Sequence, residues 1–437
     1  MLGVLKKRSA VYSPVGLDIG LTGTRTVQLY RSDEGWTLEY AAVWPPSASE
    51  PGGANSDALG DRLKRALGNQ EFVGRSVVLG LSQPDVELNA LELPPQQPGT
   101  DGSQLASAAR WEIQRLSRFD QEAIQTDLWW LPSGKGAHPT AMGVAVPTPI
   151  VQGLWETCRG AGARCLCMDV SVCALARAGA AVRPTQPGEV WGLLDVGARG
   201  TRLVLCVGDV AVLARTLGKG GQGWTQTLAE ALQVSEPSAE QHKQDHGIDS
   251  LRQQGNKATR QQGDKARTQP DRARPEHEGT IDSSRPAKLP GPSPQSLDDR
   301  GGAQSGSVGR AQSGSVGRAQ SGSVLPHSGQ LADMVFTALR PDLDRISQEI
   351  ARSYEYVLQC YPQNQAGGLV LSGAGAAMRG LDNYLTDRLG IDVRVPDRCL
   401  DQSGSRLRIG TRAMGRREPL STYMAAIGLA IEPGAKP

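Results

Sequence analysis

The sequence predicts an α/β protein built from two related lobes that face a common cleft, and three observations carry that expectation. A short glycine-rich motif occurs twice: Asp18-Ile-Gly-Leu-Thr-Gly-Thr-Arg25 and Asp195-Val-Gly-Ala-Arg-Gly-Thr-Arg202 agree in the Asp, both glycines, the Thr and the final Arg. Each copy is entered by alternating apolar residues (Val15, Leu17, Ile19; Leu193, Val196) and leaves into a second β-like run, a turn and a third run. Alternation with a period of two marks strands with one buried face. Most of the remaining chain mixes strand-like and helix-like segments, as α/β architectures do.

In the first half, residues 26–30 follow the first motif as a strand, and Asp33-Glu34-Gly35 turns the chain into a third. Residues 75–81 read as a buried strand and 85–93 as a run ending at Pro94-Pro95. A helix is expected over 104–116, where Leu105, Ala109, Ile113 and Leu116 fall near helical spacing. Residues 120–130 and 142–146 read as extended and 149–161 as helical. An apolar stretch at 166–172 leads into an Ala-rich helix to Ala180. In the second half, 203–207 is a strand, Gly208-Asp209 a turn, and Lys219-Gly-Gly-Gln222 precedes a helix over 223–232. A long helix from about 328 buries Leu331, Val335 and Leu339, bends at Pro341 and continues through Leu343, Ile346, Ile350, Tyr354 and Val357. A short buried strand ending near Ser372 runs into a Gly-rich turn. The helix 381–389 then stops at Gly390. The small-residue segment 424–430 is a last helix.

Composition bounds the rest. The chain has 437 residues, enough for two or three domains with sizeable cores, and a net charge of +2 that favours no nucleic-acid or membrane partner. The first residues, Met1 to Arg8, lack the apolar core of a signal peptide, and no run of about 18 uncharged apolar residues occurs. The cysteines Cys158, Cys165, Cys167, Cys173, Cys206, Cys360 and Cys399 form no ladder or metal spacing and read as reduced, packed thiols. Between about Gln241 and Leu331 the composition turns polar and loses its aromatics, ending in the repeat Ala303-Gln-Ser-Gly-Ser-Val-Gly-Arg310. Such a tract buries too little apolar surface to offset its ordering entropy, so a disordered, tolerated insertion over 248–330 is expected.

The motifs suit phosphate chemistry. Gly20, Gly23, Gly197 and Gly200 let backbone N–H groups approach an anion closely. Asp18 and Asp195, each at a strand end, can hold Mg²⁺ through water, since that ion keeps oxygen ligands and dehydrates reluctantly. Thr22, Thr24 and Thr201 add hydroxyls beside the loops. Either loop alone also reads as an ordinary hairpin turn; the second copy in the same context favours the phosphate reading. Ser372-Gly-Ala-Gly-Ala-Ala-Met-Arg-Gly380 forms a third Gly-rich turn, between a strand and a helix.

Taken in order, the three clusters resemble the actin/Hsp70 superfamily. There two ribonuclease-H-like domains each give one phosphate loop, and a later Gly-rich turn contacts the adenosine. Within it the chain resembles the PilM family of type IV pilus assembly, relatives of the division protein FtsA. The opening at Val15–Gly20, the stretch Ala109-Arg-Trp-Glu-Ile-Gln with Arg118-Phe-Asp120 and Asp127, the Leu217–Gly221 turn and the Leu369–Gly373 strand with its following helix carry this resemblance. It implies a first actin-like domain (1A) over 1–83 and 147–190, an inserted 1C-type subdomain over 84–146, and a second domain (2A/2B) over 191–247 and 331–437. The helix at Ala425–Gly428 resembles the family's second connecting segment, and Met142–Pro147 lies near the first crossing.

The resemblance implies an ATP site with Mg²⁺. Asp18, Gly20, Thr22, Gly23, Thr24 and Arg25 would form one phosphate loop, and Asp195, Gly197, Gly200, Thr201, Gly220 and Gly221 the other. Glu240 and Lys243 would sit beside the ribose and adenine, and Gly373, Gly375 and Met378 on the adenosine side. Arg25 stands where the family more often has Lys, Ala374 where it has Gly, and Arg199 is bulky for such a loop. The implied function is an ATP-binding scaffold, cytoplasmic and peripheral at the inner membrane. It would bind the N-terminal cytoplasmic segment of a PilN-like protein in a groove beside 1C, without nucleic acid, and with self-association kept as an alternative. No water-orienting residue can be named, so catalytic residues are unknown and any ATPase activity should be weak. Rival readings are a pseudo-ATPase interaction module, motivated by Ala374 and Arg199, a small-molecule kinase, for which no substrate Asp stands out, and an FtsA-like division protein, disfavoured by the segment Glu432–Pro437. Trp111, Trp129 and Trp130 are expected in the core, with a peptide groove as the alternative. Arg406, Arg408, Arg412, Arg416 and Arg417 are expected on a solvated surface.

Overall fold

A computed structural model describes residues 11–33, 35–46, 56–93, 102–120, 123–135, 140–248, 328–400, 404–413 and 418–431. The insertion expected over 248–330 lies outside these residues except at its ends, where Ile248 is buried and a helix resumes at Ser328. Arg416, Arg417 and the segment after Ile431 also lie outside them.

The apolar alternation around the first motif forms strands β1 (Val11–Tyr12), β2 (Val15–Gly20), β3 (Gly23–Ser32) and β4 (Gly35–Trp44). Helix α1 (Ser56–Gly68) follows, unanticipated from the sequence, although Leu59, Leu63 and Ala66 recur at helical spacing and bury against the sheet. After β5 (Ser76–Leu81) comes the inserted subdomain: β6 (Glu87–Leu91), α2 (Gly102–Leu116), β7 (Ile124–Trp130) and β8 (Ala141–Pro147). Its antiparallel sheet runs β6-β8-β7, and α2 seals one face with Leu105, Ala109 and Ile113. The chain returns through α3 (Thr148–Gly160) and β9 (Arg164–Val170), then crosses to the second lobe along α4 (Ser171–Val182). The crossing is therefore α4. Met142–Pro147, expected near it, is the central strand of the inserted sheet, because its neighbours on both sides supply antiparallel partners.

The second lobe repeats the plan with β10 (Glu189–Val196), β11 (Gly200–Val207) and β12 (Val210–Lys219), then α5 (Gly221–Leu232), α6 (Glu236–His246) and the long α7 (Ser328–Cys360). Strand β13 (Gln365–Ser372), helix α8 (Leu381–Leu389), β14 (Val393–Arg394), α9 (Pro396–Cys399), β15 (Leu407–Ile409) and α10 (Met424–Ala430) complete the chain. The second sheet runs β12-β11-β10-β13-β14, and the first runs β4-β3-β2-β5-β9, with β15 added beside β4 and β1 beside β3. In both, the first three strands in chain order are antiparallel and the next two add in parallel. The duplicated motif thus sits at the same place in a duplicated topology.

Helices α4 and α10 form the layer between the two sheets. Leu175, Ala178 and Val182 from α4 and Met424, Ile427 and Ala430 from α10 pack with Val27 and Leu29 on one side and Trp191 and Leu193 on the other. Small residues make this possible. A Cβ on Gly428 would lie 1.7 Å from the Ala174 carbonyl oxygen, and one on Gly16 would lie 2.1 Å from that of Ala426. The segment after residue 404 was expected in the second lobe, but β15 pairs with β4 and α10 packs on β2. Its small-residue pattern serves backbone-to-backbone packing against the first lobe.

Candidate functional site

In the first lobe the β2–β3 register sets Asp18 opposite Arg25 and Gly20 opposite Gly23, leaving only Leu21 and Thr22 to make the turn. Gly23 has φ +126°, and a Cβ there would come within 2.4 Å of the Trp44 carbonyl oxygen, so glycine is required. Thr24 lies in β3, opposite Ile19 and Trp44. The Arg25 guanidinium folds back over its own turn. Nη1 donates to Gly23 O at 2.8 Å, Nη2 donates to Thr22 Oγ1 at 2.7 Å, and a Cβ on Gly20 would lie 2.6 Å from Nη1. A guanidinium carries five N–H donors, so three remain for an anion after these two bonds.

The second lobe repeats the register: Asp195 stands opposite Arg202 and beside Ser372, whose hydroxyl donates to Asp195 Oδ1 at 3.1 Å. Three backbone turns converge here. Gly197 N donates to Gly200 O at 3.0 Å, and Gly221 N donates to Gly197 O at 2.9 Å. A Cβ on Gly220 would lie 2.3 Å from Gly197 O. Gly373, at φ +84°, has Val196 O within 2.4 Å of its would-be Cβ, and a Cβ on Gly375 would lie 2.4 Å from Val196 Cγ1. The glycines are thus used partly to pack the loops on one another. Thr201 is fully buried and its hydroxyl donates to Lys219 O at 2.7 Å, which ties β11 to the end of β12.

Glu240 and Lys243 meet on α6, beside the start of α5. Lys243 Nζ donates to Gly221 O at 2.9 Å, to Thr225 Oγ1 at 2.7 Å and to Glu240 Oε2 at 2.6 Å, so its three protons are committed within the protein. Burial works to raise the Glu240 carboxyl, but hydrogen bonds from Lys243, Thr225 and Gln244 outweigh it and hold the group below its usual range. Met378 is buried in the second-lobe core with Leu381 and Tyr384 rather than standing at a surface.

Between the lobes, Asp18 is recessed and its carboxyl is pushed up to about 6. Burial is the main cause, and the charge of Asp195 adds to it against Arg25 and Arg202. The two motif carboxylates are therefore close enough to feel one another. A cleft holding about 440 Å³ of empty space, open mouth included, is lined by Arg202 but by neither carboxylate. Ser82 and Gln83 at the end of β5, Ser171 at the start of α4, and Arg202, Arg215 and Thr216 from the second sheet supply its polar lining. Thr216 Oγ1 donates to Gln83 Oε1 at 2.9 Å across the lobes. Sequence reasoning passed over Arg202, Gln83 and Thr216 as site residues. The repeated motif did contain the signal for Arg202, which is the counterpart of Arg25.

These residues fit a nucleotide with its cation. The glycine turns crowd backbone against backbone around Asp195, and two mutually repelling carboxylates call for positive charge. Among the described residues no group of three or more His, Cys, Asp and Glu could hold a metal ion. A Mg²⁺ held by Asp18 and Asp195 would complete its shell with water and phosphate oxygens. The same fit is weaker on the adenosine side, where Met378 and Lys243 are already occupied by the protein.

The aromatic residues differ from expectation. Trp111 is 64% and Trp130 45% exposed, while the half-buried Trp129 donates its Nε1–H to Ala211 O at 2.8 Å. Trp111 lies two positions from both Ala109 and Ile113, about 200° around α2, so the packing of those two on the sheet turns it outward.

A family model described as "Type IV pilus assembly protein PilM" matches residues 16–251. Among solved structures, a "PilM-PilN type IV pilus biogenesis complex" superposes with a TM-score of 0.60 at 22% identity, covering 96% of this chain and 99% of that one. The ethanolamine utilization protein EutJ from Carboxydothermus hydrogenoformans gives 0.43 at 12% identity, over 96% of this chain and 89% of its own. MreB5 of Spiroplasma citri bound to ADP gives 0.42 at 11%, over 95% and 94%. No curated protein matches the chain.

Proposed function

The chain belongs to the PilM family of type IV pilus assembly proteins, and from that membership we propose that it is an actin-like cytoplasmic scaffold that binds ATP between its lobes and holds the N-terminal segment of a PilN-like inner-membrane protein. The observation that carries the nucleotide part is the matched register of the two motifs. Asp18 stands opposite Arg25 and Asp195 opposite Arg202, and the two carboxylates are near enough to repel one another. Backbone N–H groups of the Gly20–Gly23 and Gly197–Gly200 turns would hold phosphate oxygens, and Arg25 would pair with them through the donors it does not spend on its own loop. Bound Mg²⁺ would neutralise charge on the phosphates.

For the partner part, the inserted subdomain matters. Val86 before β6 and Val144 and Val146 on β8 meet the first lobe at Leu81 and Val170 in a buried apolar contact, and a groove beside that contact would accept the extended peptide. The fold's likeness to the PilM-PilN complex supports a PilN-like partner. The test is equilibrium binding of ATP and of a PilN-like N-terminal peptide to the wild type and to Asp18→Ala. Loss of ATP affinity in the variant, with peptide binding kept, is expected; equal ATP affinity would remove this nucleotide site.

A second reading, an interaction module that has lost nucleotide, is favoured by two observations. Arg25 closes over its own turn, and Lys243 has no proton left to donate. Peptide binding by a wild type without measurable ATP affinity would select it.

A further inference from the structure

We propose that Cys165 and Cys158 form a peroxide-reactive dithiol, in which Cys165 takes oxygen from a hydroperoxide and Cys158 closes a disulfide on it. The pair lies where α3 turns back into β9, the edge strand of the first sheet, and neither residue lines the cleft between the lobes. The turn brings them together. Ala163 N donates to Cys158 O at 2.9 Å, and Gly162, at φ +77°, reverses the chain. Strand β9 therefore starts beside the last turn of α3, and Cys165 packs against the core that holds Cys158, Leu63 and Val77. A β-bulge aims it there. Cys165 stands opposite Val77 but Cys167 opposite Val78, which leaves Leu166 as the extra residue. Regular alternation would turn both cysteines of β9 to one face. The bulge separates them, and Cys167 packs instead with Val78 and Ala174, away from Cys158.

The environment divides the roles. Cys158 is fully buried and Cys165 half-buried, and the Cys158 thiol donates a hydrogen bond to the Cys165 sulfur. That bond holds the Cys165 thiol below its usual range against its partial burial, and together with burial it raises Cys158. Cys165 is therefore the more exposed sulfur and the readier thiolate, with Cys158 behind it bearing the proton. Burial pushes Cys173 up to about 12 and Cys399 up to about 11, and raises Cys206 as well, so these thiols stay protonated. A low-pKa, accessible thiolate beside a second, resolving thiol is the arrangement that redox-sensing cysteines share.

In the first step the Cys165 thiolate attacks the terminal oxygen of the hydroperoxide. An S–O bond forms, the O–O bond breaks, and the departing alkoxide or hydroxide takes a proton from solvent. In the second step the Cys158 sulfur attacks the Cys165 sulfur. The S–S bond forms, the S–O bond breaks, and the hydroxyl leaves as water with the Cys158 proton. Two thiols thus give up two electrons, and one hydroperoxide takes them. The disulfide ties the end of α3 to β9, and a dithiol reductant reverses it.

The test treats the full chain with an equimolar amount of hydrogen peroxide, blocks the remaining thiols by alkylation and maps the tryptic peptides by mass. Trypsin cuts after Arg159 and Arg164, so the disulfide joins two separate peptides. The link should vanish in Cys165→Ser and in Cys158→Ala and persist in Cys167→Ser. Without its resolving partner the sulfenic acid lasts, so dimedone should label Cys165 in Cys158→Ala about tenfold more than in the wild type. Oxidation of Cys165 at neutral pH should outpace that of the half-buried Cys360 by about tenfold. If Cys158→Ala fails to fold, the wild-type map and Cys165→Ser decide. A link from Cys158 to Cys167 or Cys173, no link at all, or oxidation of Cys165 no faster than of Cys360 overturns the proposal.

Discussion

Asp18 sits in a recess facing a second carboxylate, with only Arg25 and Arg202 to offset its charge. Its folded-state pKa of about 6 stands above the unfolded value of about 4. The folded chain therefore binds the proton more tightly than the unfolded one between these values. Stability falls as pH rises from about 4 to about 6, and the penalty is complete above that. In metal-free, nucleotide-free buffer with chelator, Asp18→Asn should be more stable than wild type at pH 7.5, on the order of 2 kcal/mol after allowance for partial exposure, with the gain vanishing toward pH 4. Urea midpoints across this range measure it. A less stable Asn variant at pH 7.5 would mean that the two arginines outweigh burial and Asp195. Part of this electrostatic arrangement was legible in the chain: the repeated Asp and Arg were visible, and their seven-residue separation is the same in both copies. The direct opposition of each pair was not, because it depends on hairpin register. Nor was the commitment of Lys243, which needs the start of α5 folded beside α6.

Elements were readable where burial is one-sided and apolar, and unreadable where it is not. Strands β2, β3, β10 and β11 and helices α2, α7 and α8 announced themselves by periodicity, whereas α6 carries Glu, Gln, His, Lys and Asp around most of its surface and buries only Ala239 and Lys243. No hydrophobic period exists there to read. The close crossing of α4 and α10 was visible only as a run of small residues, which predicts a helix without saying what approaches it. Gly428→Ala tests the crossing. The added Cβ meets the backbone of Ala174, which cannot swing away as a side chain would, so a loss of about 1–3 kcal/mol in unfolding free energy is expected. Gly153→Ala, in α3 with open space around it, is the control and should be neutral or slightly stabilising. Similar destabilisation by both would remove the special status of the crossing.

At the scale of the molecule, the repeated loop foretold the three-strand meander that opens each sheet, but not the parallel strands that extend it. The allocation of the C-terminal segment was harder to foresee, since β15 and α10 return to a lobe begun about four hundred residues earlier in the sequence. The inserted subdomain also reaches the second lobe. Trp129 Nε1–H donates to Ala211 O, Lys135 N donates to Cys360 O at 3.0 Å, and Leu131 packs against the second-lobe core. A group that draws the lobes together therefore acts on the subdomain that borders the proposed peptide groove. Trp129→Phe keeps the ring and removes the donor, and should lower stability by about 1 kcal/mol. It should also shrink the effect of ATP on peptide affinity, from a coupling on the order of 1–3 kcal/mol toward zero. Fluorescence titrations of labelled peptide with and without ATP would show it, and undiminished coupling would rule out this bridge. The glycine contact between α4 and α10 has a mechanical corollary. Where two backbones touch with almost no side chain between them, few rotamers must rearrange when one arm swings against the other. Such a fulcrum gives the longest excursion to whatever is mounted furthest from it, and the displacement there grows in proportion to the lever.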